Sequence, residues 1–190
     1  MENTDATELA ESADSPFKTY CALMVSVLAM VLAINNLGGS NTGKEATMNN
    51  ILAANMYSFY QAKNVRQTQY KIAADELEIQ LSSGKSVPEQ TRIMKDKLEA
   101  YRKTIDRYES EPDSGEGKKE LMVKAKAFEH DRDLALRKDP WFDYAEGLLQ
   151  LAIVLTSVAI ITQRRSLSYA ALVLGLVGSV CTLNGYFLFI

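Results

Sequence analysis

Residues 144–190 read YAEGLLQLAIVLTSVAIIT, QRRS, LSYAALVLGLVGSVCTLNGYFLFI. Two apolar runs, 144–162 and 167–190, flank four polar residues. Each run is long enough to cross a ~30 Å hydrocarbon core as a helix, which takes roughly 20 residues. Working outward, a third run lies near the start: residues 19–35, TYCALMVSVLAMVLAIN. Glu146 is the one acidic residue inside the three runs. Between the first and second runs the composition reverses, because residues 38–143 hold 18 basic and 18 acidic side chains. The mean hydropathy of −0.13 averages these two kinds of sequence. The pattern predicts an all-α membrane protein. Three transmembrane helices carry a long, coiled-coil-like antiparallel helical hairpin inserted between the first and second.

The expected divisions follow. Residues 1–17 are an acidic tail (Glu2, Asp5, Glu8, Glu11, Asp14), and residues 18–37 form transmembrane helix 1. The tail has the wrong sign for a signal-peptide n-region, so the first run reads as a retained anchor. Residues 38–140 form the extramembrane hairpin, opened by the clear helix breaker Gly38-Gly39-Ser40-Asn41-Thr42-Gly43. Transmembrane helix 2 covers residues 141–163 behind an aromatic entry at Trp141, Phe142 and Tyr144, and transmembrane helix 3 covers 167–190.

Within the insertion, helices are expected at about 44–82, 88–110 and 118–138. In the first, Met48, Leu52, Met56, Phe59, Ala62, Val65, Ile72 and Leu77 recur three or four apart. In the second, Met94, Leu98, Tyr101, Ile105 and Tyr108 keep heptad spacing. In the third, Leu121, Ala125, Phe128 and Ala135 share a face, and Asp139-Pro140 is the expected stop. The outward leg spans roughly 58 Å and the two return helices together roughly 65 Å at helical rise. Legs of similar length point to a hairpin whose tip is the turn at Gly84.

The third span carries a stripe of small residues, Ala171, Gly175, Gly178, Thr182 and Gly185, spaced 4, 3, 4, 3. The first repeats it at Ala22, Ser26, Ala29 and Ala33. Small residues let helix backbones approach closely in lipid. The stripes are therefore helix-packing faces, either between spans of one chain or between subunits. Glu146, Gln150 and Asn184 are the polar residues from which an intramembrane seam could be built. Arg164 and Arg165 in the short turn set the topology: basic short loops face the cytoplasm, which puts the N-terminus there and the hairpin outside.

Several classes have no sequence support. A net charge of −3 with evenly mixed signs gives no case for nucleic acid. Cys21 and Cys181 lie in apolar runs at different expected depths and should not meet. His130 has no second ligand at helical spacing. No nucleophile–base pair, phosphate-binding glycine loop or cofactor motif is present, so neither an enzyme nor a cofactor is expected. The amides Asn49, Asn50, Asn55, Gln61, Asn64, Gln67 and Gln69 form either a polar helix face or a buried amide network at a subunit interface.

The segment Asn55-Met56-Tyr57-Ser58-Phe59-Tyr60-Gln61-Ala62-Lys63, the arginine-bearing turn 161–167 and the glycine-rich last span resemble a bacterial domain-of-unknown-function (DUF4337-like) family of small membrane proteins. The signature falls on Asn55, Tyr60, Gln61, Ala62 and Lys63. The likeness runs from the first span onward and departs in the tail, which lacks the histidines expected there. It implies an architecture and a bacterial origin rather than a chemistry. The expected role is a non-enzymatic membrane-anchored scaffold or accessory subunit in the bacterial inner membrane. Its partners would be lipid, itself as a homo-oligomer, or a larger membrane complex. The alternative is a homo-oligomeric channel or transport component.

Overall fold

A computed structural model describes residues 16–84 and 87–190. The expected acidic tail lies almost wholly outside these residues, as do Lys85 and Ser86 of the expected tip turn. The described residues form four helices: α1 (Pro16–Ser82), α2 (Pro88–Glu109), α3 (Lys118–Thr162) and α4 (Arg165–Phe187). No strand occurs among them. Of these helices α1, α3 and α4 are long and apolar enough to cross a membrane. Only 17–28% of their apolar windows is buried, so most of that surface faces outward.

The chain divides into two units, Met1–Ala46 with Asp133–Ile190, and Thr47–Arg132. In the first unit, one part each of α1 and α3 packs with α4. Its core is Met24, Leu28, Leu149, Ala152 and Ala171, with Val31, Leu32 and Ile153 against it. In the second unit, the later part of α1 meets α2 and the start of α3. Paired residues run in opposite senses: Tyr57 with Glu129, Lys63 with Glu116, Tyr70 with Tyr108, and Glu78 with Arg102.

Two expected breaks are absent. α1 continues through Gly38–Gly43 for 67 residues in all. The glycines serve close approach instead of chain reversal. A Cβ at Gly38 would sit 2.7 Å from both Phe142 Cζ and Tyr186 Oη, and one at Gly39 would sit 3.2 Å from Phe142 Cβ. α3 likewise runs through Pro140 for 45 residues. Proline removes one helical hydrogen bond and crowds the preceding turn, at a cost of about 3 kcal/mol. Buried neighbours on both sides, Ala135, Phe142 and Ala145, hold the helix across that point.

The true turns are short. Gly84 (φ +66°) ends α1 in the left-handed region that glycine reaches without strain. Pro88 opens α2 at its first turn. α4 stops three residues before the expected end: Leu188 turns left-handed, and Asn184 Oδ1 accepts from the Ile190 backbone N–H at 2.9 Å.

Gly43 separates the two meanings of glycine. A Cβ there would meet nothing within 4 Å. Replacing a mid-helix glycine by alanine gains about 1 kcal/mol of helix propensity. Gly43→Ala should therefore raise the thermal unfolding midpoint in mild detergent. Gly38→Val, which must displace the Phe142 ring, should lower stability by about 1–3 kcal/mol. A loss of helix content in Gly43→Ala would restore the expected break.

Candidate functional site

Two polar nodes stand out, one in each unit. In the first, Asn35 is 1% exposed although it lies at the end of an apolar run. Its Nδ2 donates to the Phe142 carbonyl at 2.9 Å, and its Oδ1 accepts from Thr182 Oγ1 at 2.9 Å. One carboxamide thus ties α1 to α3 and α4 at the same level. Phe142, 2% exposed, wedges beside it. Its ring meets Tyr186 edge-on at 5.1 Å and covers Gly38, and it lies where a Cβ on Gly185 would collide. The Tyr186 hydroxyl donates to the Ile34 carbonyl at 3.0 Å. The reading of the sequence missed Asn35. The available signal was an amide, Asn35, at the last position of a lipid-length apolar run.

The small-residue stripe of α4 lies on this packed face. Ala171, Gly175, Gly178, Thr182 and Gly185 are all buried within the chain. Leu28 occupies the space a Gly175 side chain would need, and Leu148 and Leu149 do the same at Gly178. The α1 stripe lies elsewhere. Ala22, Ser26, Ala29 and Ala33 are exposed, and the packed α1 positions are Cys21, Met24, Leu28, Asn35 and Gly38. The inward row holds larger residues because α4 supplies the space by its own glycines. Cys21 Sγ lies 3.7 Å from Ser168 Oγ, so α1 and the first turn of α4 start side by side. Neither Cys21 nor Cys181 is in a disulfide.

The expected polar seam comes together only in part. Gln150 Nε2 donates to Glu146 Oε1 at 2.9 Å on α3, one turn apart. Asn184 is fully buried and engaged with Ile190, and its Nδ2 has no hydrogen-bond partner. Arg164 and Arg165 are exposed at the turn, where Gln163 adopts φ 53°.

In the second unit the centre is Gln67, 2% exposed. Its Nε2 donates to the Ile105 carbonyl at 2.9 Å and to Glu109 Oε2 at 3.1 Å, while its Oε1 accepts from Lys118 Nζ at 2.9 Å. Lys118 also pairs with Glu109 at 3.3 Å and lies 5.5 Å above the Tyr60 ring. Every polar group of the Gln67 side chain is used, which is the condition for a buried network to stabilise rather than cost. Of the seven amides in the sequence cluster, Gln67 alone is buried, and its partners belong to the same chain. Asn49 is half-buried, and Asn50, Asn55, Gln61, Asn64 and Gln69 are exposed.

The signature Tyr60-Gln61-Ala62-Lys63 divides between two faces. Tyr60 and Lys63 turn inward, and Lys63 reaches Glu116 at 3.4 Å and the Tyr108 ring at 5.9 Å. Asn55, Gln61 and Ala62 face outward. The inward row of α1 is therefore Ala53, Tyr60, Gln67 and Ala74, with Met56, Lys63, Tyr70 and Leu77 beside it. Of the expected apolar row, Met48, Phe59, Val65 and Ile72 lie outward instead. The partners at this level are tyrosines, a lysine and a glutamate, so the most apolar row of α1 is not the one they cover. The loop before α3 is clamped by Glu120, which accepts from Ser110 Oγ at 2.6 Å and from the Glu111 backbone N–H at 3.2 Å. A side chain on Gly117 would strike the Glu111 and Ser110 backbone, so the loop requires glycine there.

Among the described residues, no three His, Cys, Asp or Glu side chains gather as they would around a metal, and His130 is exposed. The molecule is thus an all-helical protein with three helices apt for membrane crossing and two internal polar clamps, which fits a membrane protein. A family model, Domain of unknown function (DUF4337), matches residues 17–188, and the chain belongs to that family. No curated protein and no solved structure matches it.

The clamps predict an acid sensitivity for the second unit. The Gln67 amide, and then Lys118, hold the Glu109 carboxyl below its ordinary range, and the Ser110 hydroxyl does the same for Glu120. A carboxylate with a lowered folded-state pKa stabilises the fold above its unfolded value, and that contribution disappears as pH falls through the folded value. The unfolding midpoint of the whole chain in mild detergent should drop as pH is lowered below the ordinary glutamate range, about 4.3. Glu109→Gln with Glu120→Gln should lower the neutral-pH midpoint and flatten its pH dependence. An unchanged slope in that double variant would show that other groups carry the titration.

Proposed function

We propose that this chain is a non-enzymatic, membrane-anchored helical scaffold or accessory subunit. In this reading it associates with itself and acts through helix–helix contacts. The observation that supports it is an outward apolar row on α1 that extends past the apolar window. Met48, Ile51, Val65, Ile72 and Ile79 are each at least half exposed in the second unit, where lipid-length apolarity has ended. Ile51, Val65, Ile72 and Ile79 fall on one seven-residue register. Seven-residue spacing is the geometry of one helix lying along another. Residues 46–62 of that stretch contain no Asp, Glu, Lys or Arg, in a region otherwise dense with both signs. An uncharged, heptad-spaced helix face in water is costly unless another helix covers it.

A second copy suits the row. Two copies anchored in one bilayer by the same spans stand parallel and at the same height, so equivalent positions meet. Asn55 lies in the row, and a single Asn at such a position favours parallel, in-register pairing. The anchored reading places the protein in the bacterial inner membrane. Arg164 and Arg165 are then cytoplasmic, and residues 38–140 form a periplasmic antiparallel hairpin.

The test is the mass of the full chain in mild detergent, beside Val65→Lys combined with Ile72→Lys. Both positions are exposed, so the variant should keep its helix content and its place in the membrane. The parent should run as more than one copy and the variant as one. A parent that is already a single copy without a fixed companion chain would contradict the scaffold reading, and a variant that assembles normally would remove the row from the interface. Orientation is checked separately in a background of Cys21→Ser and Cys181→Ser. Ser114→Cys should react with an impermeant maleimide in intact cells, and reaction only after lysis would reverse the topology.

A further inference from the structure

Two cavities of the first unit lie between α1 and α4 and share Tyr20 as a wall. One, of about 380 Å³, is lined by Pro16, Phe17, Tyr20, Arg165, Ser168 and Tyr169. The other, of about 250 Å³, shares Tyr20 and continues between Leu23, Val27, Leu172, Gly175 and Leu176 to Ser179. The first holds a guanidinium and three hydroxyl groups. The second is apolar almost throughout. We propose that together they bind one anionic glycerophospholipid, with its phosphate at Arg165 and one acyl chain along the α1–α4 groove. The inference rests on the membrane-anchored reading above.

The chemistry at each end selects that occupant. Arg165 is exposed and enters none of the ion pairs among the described residues. A planar guanidinium presents paired donors that match two oxygens of one phosphate. Tyr20 and Tyr169 combine an apolar ring with a hydroxyl, as residues at the headgroup level do. The groove's inner wall is formed by Gly175 of α4 with Leu28 of α1 packed against it. From Arg165 to Ser179 the helix advances roughly 20 Å. The apolar cavity itself extends from Tyr20 to Val31 along α1, roughly 16 Å at helical rise, close to the ~15 Å of one hydrocarbon leaflet, so an acyl chain has an apolar wall there. A free phosphate would use the first cavity alone and a neutral lipid the second alone. The wall that both cavities share at Tyr20 favours a ligand having both parts.

The experiment is native mass measurement of the full chain released from mild detergent. It is titrated with phosphatidylglycerol or phosphatidylcholine of identical acyl chains, or with glycerol 3-phosphate. The parent should retain one phosphatidylglycerol at about one-fifth the concentration needed for phosphatidylcholine, the order expected of one basic side chain at an anionic surface. Arg165→Gln should erase that preference, whereas Arg164→Gln, outside the cavity lining, should keep it. Leu176→Trp should fill the groove and weaken retention of both lipids, and glycerol 3-phosphate should not compete. Equal retention of the two lipids by the parent, or a preference that survives Arg165→Gln, would overturn the site. Competition by glycerol 3-phosphate would overturn the acyl groove. Recovery of the chain in the soluble fraction of cells would instead overturn the membrane reading, so the two failures are told apart.

Discussion

Phe142 and Asn35 meet α1, α3 and α4 at one level, and the packing of the first unit depends on that junction. Between apolar helices in lipid there is no hydrophobic force to draw one against another. Close van der Waals contact and hydrogen bonds must supply the attraction. Phe142 fits because Gly38, Gly39 and Gly185 offer no side chain where its ring lies. Asn35 then fixes rotation and height, since its single carboxamide needs the Phe142 carbonyl and the Thr182 hydroxyl together. From that level the small residues of α4 carry the close approach onward, with Leu28 against Gly175 and Leu149 against Gly178.

The second unit is held differently. It has few large buried apolar side chains: α2 has no buried residue at all. Its centre is the saturated network of Gln67, Glu109 and Lys118, framed by Tyr60, Tyr70, Tyr101 and Tyr108. Satisfied polar contacts contribute modestly to stability but discriminate strongly against slipped registers, because any shift leaves a buried donor or acceptor unpaired. A helix pairing based on such contacts is well specified and not strongly stabilised. That combination suits a part whose outward face, from Met48 to Ile79, is available for a further helix.

Much of this was legible in the residues. Long apolar runs identified the three helices apt for crossing a membrane, and the small residues spaced 4, 3, 4, 3 on α4 are buried within the chain. What failed to read through was any feature whose meaning depends on a distant partner. Gly38-Gly39 has the local chemistry of a breaker, and only Phe142, about a hundred residues later, makes it a notch. Pro140 looks like a stop until the burial of Ala135 and Ala145 on either side is known. In α1 the most apolar row lies outward and a row containing Gln67 lies inward, because apolarity predicts burial only when the partner is apolar too. Asn35 went unread because its acceptor is a backbone carbonyl, which no sequence displays.

The register of α1 against α4 within one chain is the claim from which the rest follows, and a native thiol tests it. Cys21 faces Ser168 at 3.7 Å in the same chain. In a Cys181→Ser background, Ser168→Cys should give an oxidised species that migrates as a monomer and carries no free thiol, because the introduced sulfur can reach Cys21 with little movement. Free thiols that persist after mild oxidation, or a disulfide that forms only between two chains, would contradict the packing described for these helices.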